Sequence, residues 1–127
     1  MNIKNKYVLL LCLKFAKEKL GVKTPFTLVL SEDKSKFATY AHYNLAEHKL
    51  SIYTKNRAIG DQCRSMVHEL VHHWQLENDK IKGGEPDIGN PDDPYDIENE
   101  ANSKAGSIIK EFGKKLKLEK KIDLYSL

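Results

Sequence analysis

Residues 57–78 read RAIGDQCRSMVHELVHHWQLEN, and this stretch decides the fold. Its apolar residues recur at the period of an α-helix, so that at 100° per residue they fall within one broad arc. The members of that arc are Ile59, Cys63, Met66, Val67, Leu70, Val71 and Trp74. His68 and His72 fall nearly opposite the arc. The stretch therefore predicts a helix with one core face and one histidine face.

Upstream of this helix, the sequence predicts another helix and three strands. Residues 3–20 present a wide apolar face, and Gly21 with the Thr24-Pro25 pair ends the helical pattern. The apolar and β-compatible runs that follow predict short strands, separated by polar turns. These strands are expected at 26–30, 37–43 and 50–54. Joined in sequence order, they predict a short antiparallel meander.

Downstream, the sequence predicts a long loop and a last helix. Lys82-Gly83-Gly84 ends the helical pattern, and residues 85–95 hold three prolines. Apolar residues at helical spacing resume from Asp96 to Lys115, and residues 118–127 are expected to be a flexible tail. The predicted fold class is α+β in a single domain over residues 1–127. It comprises an N-terminal helix, a small, largely antiparallel three-stranded sheet, the histidine-bearing helix and a C-terminal helix.

Length and composition restrict the classes of protein. The chain has 127 residues, of which 40% are hydrophobic and 31% charged, and its mean hydropathy is −0.57, which excludes a membrane-spanning protein. Cys12 and Cys63 are too few for a disulfide framework, which favours a reducing compartment. Lys14 and Lys17 interrupt the first apolar run, and no small-x-small cleavage site follows. We therefore expect a cytoplasmic protein without a signal peptide.

Charge is unevenly distributed along the chain. The net charge is +3, but residues 77–100 hold nine acidic residues against two lysines. Both ends are rich in lysine without interleaved aromatic residues, a pattern that is typical of solvated helix faces. We therefore do not expect this protein to bind nucleic acid. Acidic residues crowd the loop, namely Glu85, Asp87, Asp92, Asp93 and Asp96. They form either a solvated turn or a rim that attracts basic peptides.

The segment His68-Glu69-Leu70-Val71-His72 is an HExxH motif within the predicted helix. Histidines four residues apart project from one face and can bind a single zinc ion. Glu69 would lie beside that ion, where it can act as general base toward a water whose pKa the metal lowers to about 7. Two surface histidines one turn apart are the ordinary alternative. The motif in this helical context favours a metal site.

The sequence leaves the third ligand open. No histidine follows His73 in this sequence. His73 itself points about 100° away from His72 on the helical wheel, so we expect it to lie beside the metal site or at the surface. A carboxylate is therefore expected as the third ligand. Glu98 falls inside the apolar arc of the last helix, Glu100 lies at its edge, and Asp96 is a further alternative. Periodicity does not choose among them.

Asn99-Glu100-Ala101 after HExxH resembles the gluzincin pattern, in which a glutamate before a small residue completes a His-His-Glu site. Residues 98–102 also resemble the Glu-Ala-Asn stretch of small ImmA/IrrE-type and phage-encoded metallopeptidases. The resemblance covers residues 68–101 and implies that His68, His72 and Glu100 bind one Zn²⁺. The sequence departs from the larger enzymes at Lys104, where they carry an aspartate that orients a zinc histidine.

The resemblance implies a zinc metallopeptidase, a hydrolase with Glu69 as catalytic base and a peptide or protein as substrate. It also implies that residues 50–54 form an edge strand that pairs with extended substrate. Tyr95, His42 and Tyr40 are candidates for stabilising the oxyanion. The alternative is a non-catalytic zinc-binding regulatory or interaction module of the same fold, although an intact Glu69 argues against it.

Overall fold

A computed structural model describes residues 1–81 and 94–126 and confirms the α+β class. It has three α-helices and one mixed sheet of three strands within that part of the chain. The elements are α1 (Ile3–Leu20), β1 (Thr27–Ser31), β2 (Ala41–Asn44), β3 (Lys49–Tyr53), α2 (Ile59–Glu77) and α3 (Pro94–Lys120), with 3₁₀ turns at Lys34–Lys36 and Leu124–Ser126.

Helix α1 has the bounds that the sequence predicts, and each end has a local cause. The side chain of Asn2 caps the start by accepting a hydrogen bond from the Asn5 N–H at 2.7 Å. Gly21 ends the helix in the left-handed conformation, with φ of 70°, and its N–H donates to the carbonyls of Lys17 and Glu18. The Glu77 carboxylate, at the end of α2, then accepts hydrogen bonds from the N–H groups of Lys23 and Thr24.

The sheet corrects the predicted antiparallel meander. Its strand order is β1-β3-β2, with β1 parallel to β3 and β2 antiparallel to β3. The chain therefore passes from β1 to the far edge of the sheet and returns through β3 in the middle. Sequential strands often pair, but the sequence pattern does not specify which strand is inserted between the others.

Strand β3 is central, so the prediction that residues 50–54 form a substrate-binding edge strand is wrong. Leu28 and Tyr43 lie on either side of Leu50 in the register, and Leu50, Ser51 and Ile52 are all buried. The backbone hydrogen bonds of β3 are used within the sheet. Strands β1 and β2 form its two edges.

The core lies between α2, α3, α1 and the sheet. All seven apolar residues of the predicted α2 arc belong to it or pack against it. Helix α3 contributes a second apolar stripe that lies against α2, and this packing brings the histidine face of α2 beside the first turns of α3. The stripe comprises Ile97, Ala101, Ala105, Ile108, Ile109, Phe112 and Leu116.

The C-terminal residues differ from the expected flexible tail. Helix α3 continues to Lys120, and the 3₁₀ turn that follows buries Leu124 in the core, only 2% exposed. Tyr125 approaches α2 closely, since a Cβ at Gly60 would lie 3.2 Å from its Cδ1 atom. Glycine at position 60 permits this contact because it carries no side chain.

The helices within residues 1–81 and 94–126 were compared with the requirements for a membrane-spanning helix. None of the helices there combines the length and the apolar content needed to cross a bilayer.

Candidate metal centre

Three side chains from two helices converge on one point. His68 and His72 lie one turn apart on α2, and Glu98 lies in the first turns of α3. The Nε2 atoms of the histidines are 3.2 Å apart. The Glu98 carboxylate places Oε2 3.2 Å from Nε2 of His68 and Oε1 2.9 Å from Nε2 of His72. Among the described residues, this is the group of ligand atoms spaced to hold a metal ion.

The carboxylate that faces the two histidines belongs to Glu98 and not to Glu100, the residue that the resemblance implied. The two glutamates are two residues apart on a helix, so they point in directions about 200° apart and only one can face the histidines. The Glu100 carboxylate instead pairs with the Lys80 ammonium at 2.8 Å. The helical wheel of α3 placed Glu98 inside the apolar arc, but its side chain is 48% exposed, so it lies at the edge of the contact between α2 and α3 and not in the core.

Gln75 fixes the orientation of the His72 ring. Its Oε1 atom lies 2.7 Å from Nδ1 of His72, while its Nε2 donates to the carbonyl of Ile97 and to Oε1 of Glu100, both at 3.0 Å. Because the amide nitrogen is used by two acceptors, the amide oxygen must face His72 and accept its Nδ1–H. The Nε2 atom of His72 is thereby directed at the cluster, where it donates to Glu98 when protonated and offers a lone pair to a metal ion when it is not.

His68 also has an orienting partner on α3. Its ring hydrogen-bonds the side chain of Asn102, four residues after Glu98. Lys104, four residues after Glu100, lies over the ring of Trp74 with its ammonium 4.6 Å from the centroid.

Glu69 lies beside the cluster in a nearly dry environment. The residue is 7% exposed, and its Oε2 atom has no hydrogen-bond partner among residues 1–81 and 94–126. Burial raises the pKa of this carboxyl to about 7; the nearby His72 lowers it and the Glu98 carboxylate raises it. A buried oxygen without a partner is costly unless a water or a ligand completes it.

The other members of the cluster show opposing effects on protonation. Burial and the neighbouring His72 lower the pKa of His68. Burial also opposes the charged form of His72, but its hydrogen bond to Glu98 and the nearby Glu69 carboxylate raise its pKa overall. The hydrogen bond from His72 lowers the pKa of Glu98. The structure thus holds an ionised carboxylate against two imidazole nitrogens.

His73 lies away from the cluster and is buried, not at the surface. Its Nε2 atom lies 2.9 Å from the carbonyl of Thr24, to which it donates, and its Nδ1 lies 2.6 Å from the hydroxyl of Tyr43, from which it accepts. Burial lowers the pKa of His73. The residue joins α2 to β2 and to the segment after α1.

The remaining predicted residues fall into two groups. Tyr40 and His42 belong to the β2 region, where the His42 ring contacts Phe37 and the Tyr40 ring stacks on Tyr53. The geometry gives neither of them a contact with the histidine–glutamate cluster. The side chain of Tyr95 and the acidic residues of the loop (Glu85, Asp87, Asp92 and Asp93) lie outside the described residues.

Comparisons with models of protein families, with curated proteins and with solved structures find no significant match for this chain.

Three residues of the site were missed or given second place by the sequence analysis. Gln75 carries a weak signal, since it lies three residues after His72 on the same side of the helix. Its role and that of Asn102 depend on contacts between α2 and α3, which only the folded chain provides. Glu98 lay inside the apolar arc of α3, but periodicity did not choose it over Glu100, and the resemblance to gluzincins favoured Glu100.

Proposed function

We propose that this protein is a zinc-dependent metallopeptidase in which His68, His72 and Glu98 bind one zinc ion and Glu69 is the general base. The observation that carries this proposal is the convergence of two Nε2 atoms and a carboxylate, all within 4.8 Å of one another, next to a buried carboxylate. Two histidines and one glutamate are a ligand set found in catalytic zinc sites.

The residues present fit a zinc ion in three respects. His72 has an Nδ1 partner in Gln75 that directs its Nε2 toward the cluster, and His68 has a side-chain partner in Asn102. Two imidazole nitrogens and the two oxygens of one carboxylate face one another, with the closest pairs 2.9–3.2 Å apart, an arrangement that only a proton or a cation can hold together. The unpartnered Oε2 of Glu69 provides a further polar atom at the edge of the cluster.

Zinc in such a site supplies Lewis acidity toward a peptide carbonyl and lowers the pKa of water. Glu69 would accept a proton at its carboxylate and later deliver it to the leaving amine, which requires a carboxyl that is near the cluster and is not tied up in hydrogen bonds. Its low exposure excludes bulk water from this proton transfer. Glu98 and the histidines would stay fixed during the reaction because Gln75 and Asn102 hold the imidazoles.

Glu69→Gln is the variant that tests this function. It keeps the shape of the side chain and removes the base, so zinc content should be unchanged while peptide hydrolysis falls at least about a hundredfold. Zinc content is measured on the purified protein, and hydrolysis is measured by mass spectrometry of a peptide library. Equal cleavage by the two proteins would contradict the assigned role of Glu69.

The same pair of measurements separates an enzyme from a non-catalytic zinc-binding module. Such a module would bind zinc in both the wild-type and the Glu69→Gln proteins and cleave no peptide in the library. A buried, unpartnered carboxylate beside the ligands supports the enzyme, since a purely structural site has no use for it.

We also propose a reducing compartment as the location of this protein. Cys12 and Cys63 are both buried and free, and the pKa of Cys12 is raised by its hydrogen bond to Cys63 and by burial. Neighbouring thiols of this kind are typical of proteins that are kept reduced. Quantifying free thiols in protein extracted under thiol-blocking conditions tests this location.

A further inference from the structure

A positively charged pocket of about 590 Å³ lies where the end of β3, the start of β2 and the start of α2 meet. Among its lining residues four are cationic and one is acidic; the cations are Lys34, Lys55, Arg57 and Arg64, and the acid is Asp61. The ion pairs formed among residues 1–81 and 94–126 involve none of the four cations. The pocket therefore has a local excess of positive charge.

The pocket lies toward the start of α2, the helix that carries His68 and His72, and Arg64 is its lining residue nearest to them in the sequence. Asp61 and Ser65, which line the pocket, lie on the same face of α2 as His68 and His72 because their spacing follows the helical period. Arg64 lies on that face one turn before His68, about 6 Å along the helix axis. The Nη2 atom of Arg64 also approaches α3 at Gly106, which lies two turns beyond Glu98. A Cβ atom at Gly106 would lie 3.5 Å from this Nη2.

Two of the cations are held in place without being neutralised. The guanidinium of Arg57 donates to the carbonyl of Tyr53 and to Oγ of Ser65, both at 2.7 Å. The ammonium of Lys34 donates to the carbonyl of Thr39 at 2.9 Å. All of these acceptors are uncharged oxygens, so the positive charge remains available to a ligand. Side chains that are fixed beforehand lose little entropy when an anion binds.

The aromatic residues of the pocket are already in contact with each other and with cations. The Tyr40 ring stacks on Tyr53 at 6.3 Å between centroids. Lys34 and Arg57 both lie over the Tyr40 ring, at 4.6 Å and 4.8 Å from its centroid. Single-stranded nucleic acid is bound by stacking its bases on aromatic faces, and a base stacking on Tyr40, which is 55% exposed, would compete with Lys34 and Arg57. The chemistry of the pocket favours a small anion over a base.

We infer that this pocket binds a carboxylate of the substrate, either an acidic side chain or the C-terminal carboxylate of a peptide. The inference rests on the proposed function, because the metal cluster is what makes the neighbouring pocket a substrate subsite. It specifies the substrate class as peptides with a carboxylate a short distance from the scissile bond. This charge preference is opposite to the one that the acidic loop alone would predict.

Binding and cleavage of one peptide set test the inference. Fluorescein-labelled octapeptides of alanine and glycine carry Glu, Gln or Lys at one scanned position, each with a free or an amidated C-terminus. Binding is measured by fluorescence anisotropy on zinc-loaded Glu69→Gln protein, and cleavage of the same peptides is measured with the wild-type protein. Arg64→Gln is compared with Lys14→Gln, which removes one positive charge from an exposed position on α1.

We expect at least one Glu position, or the free C-terminus, to bind about tenfold or more tighter than its uncharged counterpart, as a charge-assisted contact does. Arg64→Gln should remove most of this difference, Lys14→Gln should leave it, and added salt should weaken it. The amidated peptides distinguish a side-chain from a C-terminal carboxylate.

The result separates this inference from the proposed function. Charge-dependent binding without cleavage would support the pocket and contradict the peptidase. Cleavage that does not depend on peptide charge, binding that survives Arg64→Gln, or no binding at all would overturn the pocket. Preference for an oligodeoxythymidine over every acidic peptide would also overturn it.

Discussion

His72 and His73 are neighbours in sequence and equally buried, each 1% exposed, yet they lie in chemically different regions of the molecule. His73 has one partner for each ring nitrogen, a tyrosine hydroxyl and a backbone carbonyl, so its hydrogen bonding is complete. His72 has a partner at Nδ1, while its Nε2 faces another imidazole and a carboxylate. Burial therefore does not identify a functional histidine. The set of atoms that faces its second nitrogen does.

Replacing each of the two histidines with alanine gives the largest expected contrast. His72→Ala removes a zinc ligand, so the purified protein should lose stoichiometric zinc and the increase in melting temperature that added zinc produces. His73→Ala should retain one zinc per chain, although the unfilled space left beside Tyr43 lowers its stability. Metal analysis after dialysis and thermal unfolding with and without zinc measure both effects. Equal zinc loss in the two variants would contradict the comparison.

The two glutamates of α3 provide the next contrast. Glu98→Gln replaces a proposed ligand and should weaken zinc binding more than about a hundredfold. Loss of a residue that only orients a ligand weakens metal binding by up to about a hundredfold, so loss of the ligand itself should exceed that value. Glu100→Gln should weaken it by about tenfold at most, because Glu100 acts only through Gln75. Competition with a chelating dye gives both affinities. The reverse order would restore Glu100 as the ligand.

Gln75→Leu tests how the His72 ring is oriented. Removing the acceptor of its Nδ1–H should weaken zinc binding by about 10- to 100-fold. Gln62→Leu is a matched control, since Gln62 is also a buried glutamine of α2 but bonds the carbonyl of Arg57. That control should affect stability and leave zinc affinity unchanged. Equal zinc affinities for the two leucine variants would mean that Gln75 does not orient the ligand.

The smallest expected effect concerns the structural histidine. Tyr43→Phe removes the hydroxyl that donates to His73 and should reduce the free energy of unfolding by about 0.5–1.5 kcal/mol, the net value of one buried hydrogen bond. Zinc affinity should not change. Urea unfolding with zinc chelated measures stability without the contribution of the metal. A loss of zinc binding in this variant would show that the two regions are coupled.

The sequence predicts much of this fold because periodicity is a local property. The bounds of α1 and the core face of α2 follow from apolar spacing and from the residues at the helix ends. The parallel pairing of β1 with β3 does not, because strand order depends on how the connections cross the sheet. The contact between Tyr125 and Gly60 likewise joins residues that are 65 positions apart in the chain.

The candidate site divides in the same way. His68, Glu69 and His72 are predictable because their spacing along one helix fixes their relative positions. Glu98 required a choice between two glutamates, and the packing of α3 on α2 makes that choice. Gln75 and Asn102 act across the interface between those helices, and their roles follow from tertiary contacts that leave little trace in the sequence.

A crystal of the protein grown with one equivalent of zinc, and measured at the zinc absorption edge, tests the central claim most directly. We expect one anomalous peak per chain, about 2.0–2.2 Å from Nε2 of His68, Nε2 of His72 and a carboxylate oxygen of Glu98. A peak bound to Glu100 in place of Glu98, or no peak at the two histidines, would contradict it.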